Sequence, residues 1–177
     1  ISLKKEYKRF YPNKKLASQI LGFCNIDSRG VEGIEKSMDS YLIARPGESD
    51  ASPVSRTEGF NVVLTIDGNI QALAERVITE AITNENAGSG SLILMDGITG
   101  EVLCMANYPD YDPNSYKEYS QENFRNNSIF NQFEPGSIFK IFTIASLLDK
   151  NLLERSDFFF CNGSYQGNNI TVKCTGH

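Results

Sequence analysis

Histidine is almost missing from this sequence, and its one copy, His177, is also the last of 177 residues. A Ser–His catalytic pair therefore has little to stand on, and any serine chemistry must find another base. A metal centre fares no better, because Cys161, Cys174 and His177 make three candidate ligands without a fourth. No metal is expected. No stretch approaches the roughly 18 consecutive apolar residues of a membrane span, and no secretory signal opens at Ile1. Repeats and low-complexity tracts are absent. Basic residues are in deficit: 17 Lys and Arg against 22 Asp and Glu leave a net charge of -5, which argues against nucleic acid as a general partner. The local run of Lys4, Lys5, Lys8, Arg9, Lys14 and Lys15 reads as a solvated segment.

What is present is enough for a folded core. With 40% hydrophobic and 22% charged residues, the chain has room for one sizeable core and a small accessory domain. Its most informative stretch is Glu134-Pro135-Gly136-Ser137-Ile138-Phe139-Lys140, followed by the apolar run Ile141 to Leu148. Proline and glycine break the chain, and a helix is predicted to start at once. Ser137 and Lys140, about one turn apart, then share a face.

A serine hydroxyl must lose its proton as it attacks, and a lysine can take that proton only when neutral. The unperturbed lysine pKa of ~10.4 therefore has to be pushed down. Burial among Phe133, Phe139 and Phe142, with the positive end of the helix dipole, would do so. The Ser137 backbone N–H is a candidate oxyanion donor. Ser-x-x-Lys alone is weak, since Ser2-Leu3-Lys4-Lys5 fits it too. Context separates the two. Ile138, Phe139, Ile141, Phe142, Ile144, Ala145, Leu147 and Leu148 predict a helix buried on all sides, where a lysine is costly without a purpose.

Taken in order, Lys15 to Phe23 predicts a short helix ending at Gly22, and Gly33 to Tyr41 a second turn or two. Arg45 to Gly59, punctuated by Pro46, Gly47, Pro53 and several serines, reads as a linker and places a domain boundary near residue 58. Asn61 to Ile66 predicts a strand. Asp67 then caps an amphipathic helix facing inward through Ile70, Leu73, Ala74, Val77, Ile78, Ala81 and Ile82. Ser91 to Asp96 and Glu101 to Asn107 form a hairpin through Gly97-Ile98-Thr99-Gly100. Asn107 to Phe133 is a long loop in which Asp110 and Asp112 shape turns. Cys24 and Cys104 sit in apolar settings that suit buried thiols. The sum is a mixed α/β (α+β) fold, an antiparallel sheet flanked by helices.

Glu-Pro-Gly-Ser-x-Phe-Lys at 134–140 resembles the active-site serine motif of the penicillin-binding proteins, the D,D-transpeptidases of bacterial cell-wall synthesis. Leu64-Thr65-Ile66-Asp67 with Ile70-Gln71, Met95 to Leu103, Tyr108 to Asn114, and Arg125-Asn126 look like further signatures of that family in the right order. Asn127 departs from it, since another arginine often follows that pair. Arg9-Phe10-Tyr11-Pro12, Ala17 to Gly22, Gly30 to Glu35 and Tyr41-Leu42 are similar to the pedestal domain of the class B enzymes. The resemblance implies a partial pedestal and linker at 1–58, and at 59–177 the N-terminal part of a penicillin-binding-protein/β-lactamase-like transpeptidase domain.

The resemblance also implies a function. Ser137 is the nucleophile and Lys140 the general base, β-lactams acylate Ser137, and no cofactor takes part. The substrates are D-Ala-D-Ala stem peptides of peptidoglycan, and membrane proteins of division or elongation, with a slight lean to division, dock through the pedestal. The implied parent lies on the extracytoplasmic face of the cell membrane, held by an N-terminal transmembrane helix not in this stretch. A disulfide between Cys161 and Cys174 suits that compartment. The family's Ser-x-Asn and Lys-Thr-Gly motifs follow the Gly-His of Gly176-His177 and are not in this sequence, so little turnover is expected of this stretch by itself. No substrate-binding residue is assigned. The rival readings are a β-lactamase-like hydrolase or sensor, and a non-catalytic scaffold for wall-synthesis partners.

Overall fold

The computed structural model describes residues 8–43 and 59–174. Most of the expected linker, residues 45–58, lies outside them, as do Ser2, Lys4, Lys5 and His177. The chain divides into two compact units, Ile1–Asn131 and Gln132–His177.

In the first unit, three short helices come early: α1 (Ser18–Leu21), α2 (Gly33–Ser37) and α3 (Asp39–Leu42). α1 is shorter than its sequence suggests, and it stops where predicted, at Gly22, whose φ of 75° favours glycine. A Cβ at Gly22 would stand 1.8 Å from the Glu32 carbonyl oxygen, so glycine is needed for the backbone there to touch the start of α2. Arg9 Nε donates to Glu35 Oε1 at 2.6 Å and ties the entering chain to α2.

Residues 61–66 do not form a strand, contrary to expectation. They run extended and make only scattered bonds to the next hairpin: Thr65 Oγ1 donates to the Val102 carbonyl and Asp67 N–H to that of Leu103. Val63 is almost fully exposed, so β-branched composition alone did not secure a ladder partner. Asp67 does cap α4 (Gly68–Asn84), accepting from the N–H groups of Asn69 and Ile70.

β1 (Gly90–Met95) and β2 (Val102–Tyr108) pair antiparallel, with Gly90 opposite Tyr108 and a bulge at Leu94/Met95. The connection is tied by Asp96, whose carboxylate accepts from Ile98 and Thr99 N–H, bonds that hold its pKa below the usual value. α4 lies on this hairpin through Ile70, Ala74 and Ile78 against Leu92, Cys104 and Ala106. Leu73 and Val77, expected on the inward face, are about half exposed, because a two-stranded sheet is too narrow to cover the whole stripe.

The expected long loop carries structure of its own: a 3₁₀ segment at Pro113–Glu118, then α5 (Gln121–Phe124) and α6 (Asn127–Phe130). An aromatic core organises it. Tyr111 is fully buried with Tyr11 and Phe23, and Tyr116, Tyr119 and Phe124 close around them. Phe23 stacks on Tyr116 at 4.2 Å between centroids, and Tyr111 meets Phe124 edge-on at 4.8 Å. The early helices are therefore packed on the loop by aromatic contacts between residues some ninety positions apart.

Polar bonds follow the same seam. Ala17 N–H donates to Glu75 of α4 at 2.7 Å, and Gln71 Nε2 donates to the same oxygen at 2.8 Å. Burial still raises the Glu75 pKa, outweighing those two donors, which lower it. A carboxyl raised on folding binds its proton more tightly in the native state, so stability falls as pH climbs from the unfolded value, near ~4.3, through the folded one. Glu75→Gln is therefore expected to remove part of the loss in stability between acid and neutral pH. Urea midpoints across that range check it, and a variant as pH-sensitive as the parent contradicts it.

The second unit contains a 3₁₀ turn at Gly136–Phe139, α7 (Lys140–Asp149) and a hairpin of β3 (Ser164–Gly167) and β4 (Ile170–Lys173). Asn168 and Asn169 both take positive φ, the conformation that a two-residue turn between twisted strands requires.

Candidate active site

The chain enters the serine segment through Pro135 and then Gly136, whose φ of 53° turns it into the 3₁₀ turn. A 3₁₀ helix has about three residues per turn, so side chains three apart eclipse. Ser137 and Lys140 are such a pair. The Lys140 N–H donates to the Ser137 carbonyl, and Lys140 is at once the end of that turn and the first residue of α7. Three-residue spacing in such a turn sets the two side chains on one side of the backbone.

Their surroundings differ from the sequence expectation. α7 was expected to be enclosed, yet Ile141, Phe142 and Ile144 are exposed, and so are Phe133, Phe139, Ser137 and Lys140. Phe139 and Phe142 touch each other, with centroids 5.7 Å apart, and form no pocket around the lysine. A helix apolar around most of its surface needs cover on every side. Within this unit the only regular elements among the described residues besides the 3₁₀ turn and α7 are the two strands of one hairpin, whose own Tyr165, Ile170 and Val172 are exposed.

Residues 90–176 match the family described as the penicillin binding protein transpeptidase domain, a segment that contains both Ser137 and Lys140. Peptidoglycan D,D-transpeptidase FtsI of Escherichia coli K12 is 35% identical over 189 residues, an alignment that takes in 100% of this chain and 31% of that protein. The chain belongs to the penicillin-binding transpeptidase family. FtsI of Buchnera aphidicola from Schizaphis graminum is 34% identical over 88% of the chain and 30% of the relative. Among solved structures, penicillin binding protein 3 of Mycobacterium tuberculosis in complex with aztreonam superposes with a TM-score of 0.81 at 28% identity, over 94% of this chain and 37% of that one. The chain thus spans about a third of the length of the curated relatives it matches. The expected fold class holds: the chain combines helices with antiparallel hairpins, as its likeness to a penicillin-binding protein requires.

Two of the signature residues, Gln71 and Asn126, are buried polar groups. Asn107, buried at the end of β2, accepts at Oδ1 from Ser91 Oγ, Ser128 N–H and Ser128 Oγ, and donates through Nδ2 to Asn126 Oδ1 at 3.0 Å. Asn126 in turn donates to the Met105 sulfur. Asn126 therefore anchors the loop to the hairpin, while Arg125 beside it is exposed. Gln71 is 1% exposed, and its amide both donates to the Met105 carbonyl and accepts from the Met105 N–H, imitating a neighbouring strand. A buried glutamine on the face otherwise formed by Ile70 and Ala74 was the available signal.

Asp112 accepts from Asn114 N–H and Nδ2, as a turn residue does, and Asp110 accepts from Lys15 Nζ at 2.8 Å. A cavity of about 530 Å³ lined by Lys8, Arg9, Tyr11, Cys24, Tyr116 and Lys117, among others, includes neither Ser137 nor Lys140. No metal-ligating cluster occurs among the described residues. Cys104 is buried as expected, whereas Cys24 is half-buried with its thiol donating to Glu35. The sulfurs of Cys161 and Cys174 are 3.1 Å apart.

Proposed function

We propose that these residues are part of a class B peptidoglycan D,D-transpeptidase, in which Ser137 is the acylated nucleophile and Lys140 its general base. The shared face of Ser137 and Lys140, at the junction of the 3₁₀ turn and α7, carries this reading. Ser137 Oγ attacks the carbonyl carbon of the penultimate D-alanine in a stem peptide, and its proton passes to Lys140 Nζ. The tetrahedral intermediate collapses with that proton delivered to the departing D-alanine amine, leaving an ester on Ser137. An amine from a neighbouring stem attacks the ester, forms the cross-link amide and frees the serine. β-lactams acylate the same oxygen through their strained amide.

Lys140 has to be held neutral for this, and dry apolar surroundings do that best. The uncovered sides of α7, at Ile141, Phe142 and Ile144, are where further parts of a protein three times this length would pack to supply them. Residues 1–58 act as the pedestal on this reading, and residues 59–177 open the catalytic domain. The protein works at the extracytoplasmic face of the membrane, and the pedestal is the docking surface for membrane partners of division or elongation. Among the described residues no helix is long and apolar enough to cross a membrane.

Release of D-alanine from a pentapeptide donor by the full-length protein tests this proposal, with and without an acceptor amine. D-alanine release coupled to a new cross-link, and a penicilloyl ester that persists through purification, are the expected results. Rapid hydrolysis of that ester without cross-linking would assign a β-lactamase-like hydrolase instead. No release and no ester would leave a scaffold.

A further inference from the structure

β3 and β4 form a two-stranded hairpin whose residues are largely exposed, with Tyr165 at 71%, Ile170 at 63% and Val172 at 57%. Such a hairpin is marginally stable in water when its faces are not packed. Its ladder runs from Gly167 opposite Ile170 to Ser164 opposite Lys173, and the Cys174 N–H extends it by donating to the Gly163 carbonyl at 2.9 Å. At that open end the Cys161 and Cys174 sulfurs meet at 3.1 Å, closer than an ordinary sulfur contact and about 1 Å from bonding distance. Both cysteines are exposed, so an oxidant in solution can reach them. Cys174 also lies within electrostatic reach of Lys140: its thiol is held above the ordinary value chiefly by the hydrogen bond with Cys161, and the Lys140 charge acts in the opposite direction.

We propose that Cys161 and Cys174 are a redox site, whose disulfide closes the base of the β3–β4 hairpin and orders it. The reaction is thiol–disulfide exchange with a small-molecule disulfide such as oxidised glutathione. One cysteine thiolate attacks a glutathione sulfur, forming a mixed disulfide and releasing one glutathione thiolate. The second cysteine attacks the protein-side sulfur of that bond and releases the other. Two cysteine thiols are oxidised, one oxidised glutathione is reduced to two thiols, and the two protons are taken up by those products. The ring so closed joins residues 13 apart in sequence and restricts the open hairpin far more than the folded one.

The test is intact and peptide mass of the chain equilibrated with oxidised glutathione, beside Cys161→Ser and Cys174→Ser. The expected result is loss of the mass of two hydrogens, with one cross-linked peptide pair containing Cys161 and Cys174, reversed by dithiothreitol. Each single variant should instead retain one glutathione. Amide exchange within residues 164–173 should slow by roughly 100-fold on oxidation, the effect of closing a ring of this size. Two glutathiones held separately on Cys161 and Cys174, pairing with Cys24 or Cys104, or unchanged exchange after bonding would each overturn the proposal. The bond is read from mass and exchange alone, so its failure and failure of the transpeptidase reading are seen in different experiments.

Discussion

Replacing Lys140 with alanine in the full-length protein is expected to lower the rate of acylation by benzylpenicillin roughly 10²- to 10⁴-fold, the usual contribution of a positioned general base. Lys140→Arg separates base from charge. Guanidinium keeps the positive charge and cannot lose its proton in a protein, so it can assist an oxyanion but cannot accept the Ser137 proton. The arginine variant is therefore expected to be nearly as slow as the alanine one. Stopped-flow or gel measurement of labelling against time gives the rates. Recovery of most of the rate by Lys140→Arg would reassign Lys140 to an electrostatic role. Lys140 opens α7, so thermal unfolding of both variants beside the parent separates loss of the base from loss of the fold.

Tyr111→Ala costs about 3–5 kcal/mol of stability, the range for removing a large buried aromatic side chain. Tyr111 is fully buried, touches Phe23, Tyr119 and Phe124 edge-on, and donates its hydroxyl to the Ser18 carbonyl at 2.9 Å. Burial holds its phenol above the ordinary pKa, so the hydroxyl remains a donor throughout the neutral range. The residue therefore fastens the early helices to the loop by packing and by a hydrogen bond together. Tyr111→Phe keeps the packing and removes only that bond, for an expected loss of about 1 kcal/mol. Urea unfolding followed by circular dichroism measures both. Equal losses for the two variants would show that the hydroxyl rather than the ring carries the seam.

Elements governed by local rules were legible from the sequence. Asp67 caps α4 because a short acidic side chain before a helix finds free N–H groups whatever the rest of the chain does. The β1–β2 hairpin and the break at Pro135-Gly136 are local in the same sense, and the serine–lysine spacing needed only one turn of helix. The expectations that failed depend on partners distant in sequence. Residues 61–66 have strand composition, yet strand formation also needs a neighbour with free backbone groups, and only scattered bonds to Val102 and Leu103 were made. α7 has the composition of an enclosed helix, and its neighbours among the described residues are too few to enclose it. Of the polar knot of Asn107, Asn126 and Ser128, only Asn126 stood out, as part of the Arg125-Asn126 signature; asparagine and serine in a loop look like surface, and only the hydrogen-bonded structure places Asn107 inside.

The intact mass of the full-length protein after incubation with benzylpenicillin, beside Ser137→Ala, tests the assignment of the nucleophile most directly. One penicilloyl adduct on the parent, mapped to the peptide containing Ser137 and absent from the alanine variant, is the predicted result. An adduct that survives Ser137→Ala, or a parent that stays unmodified, would contradict it.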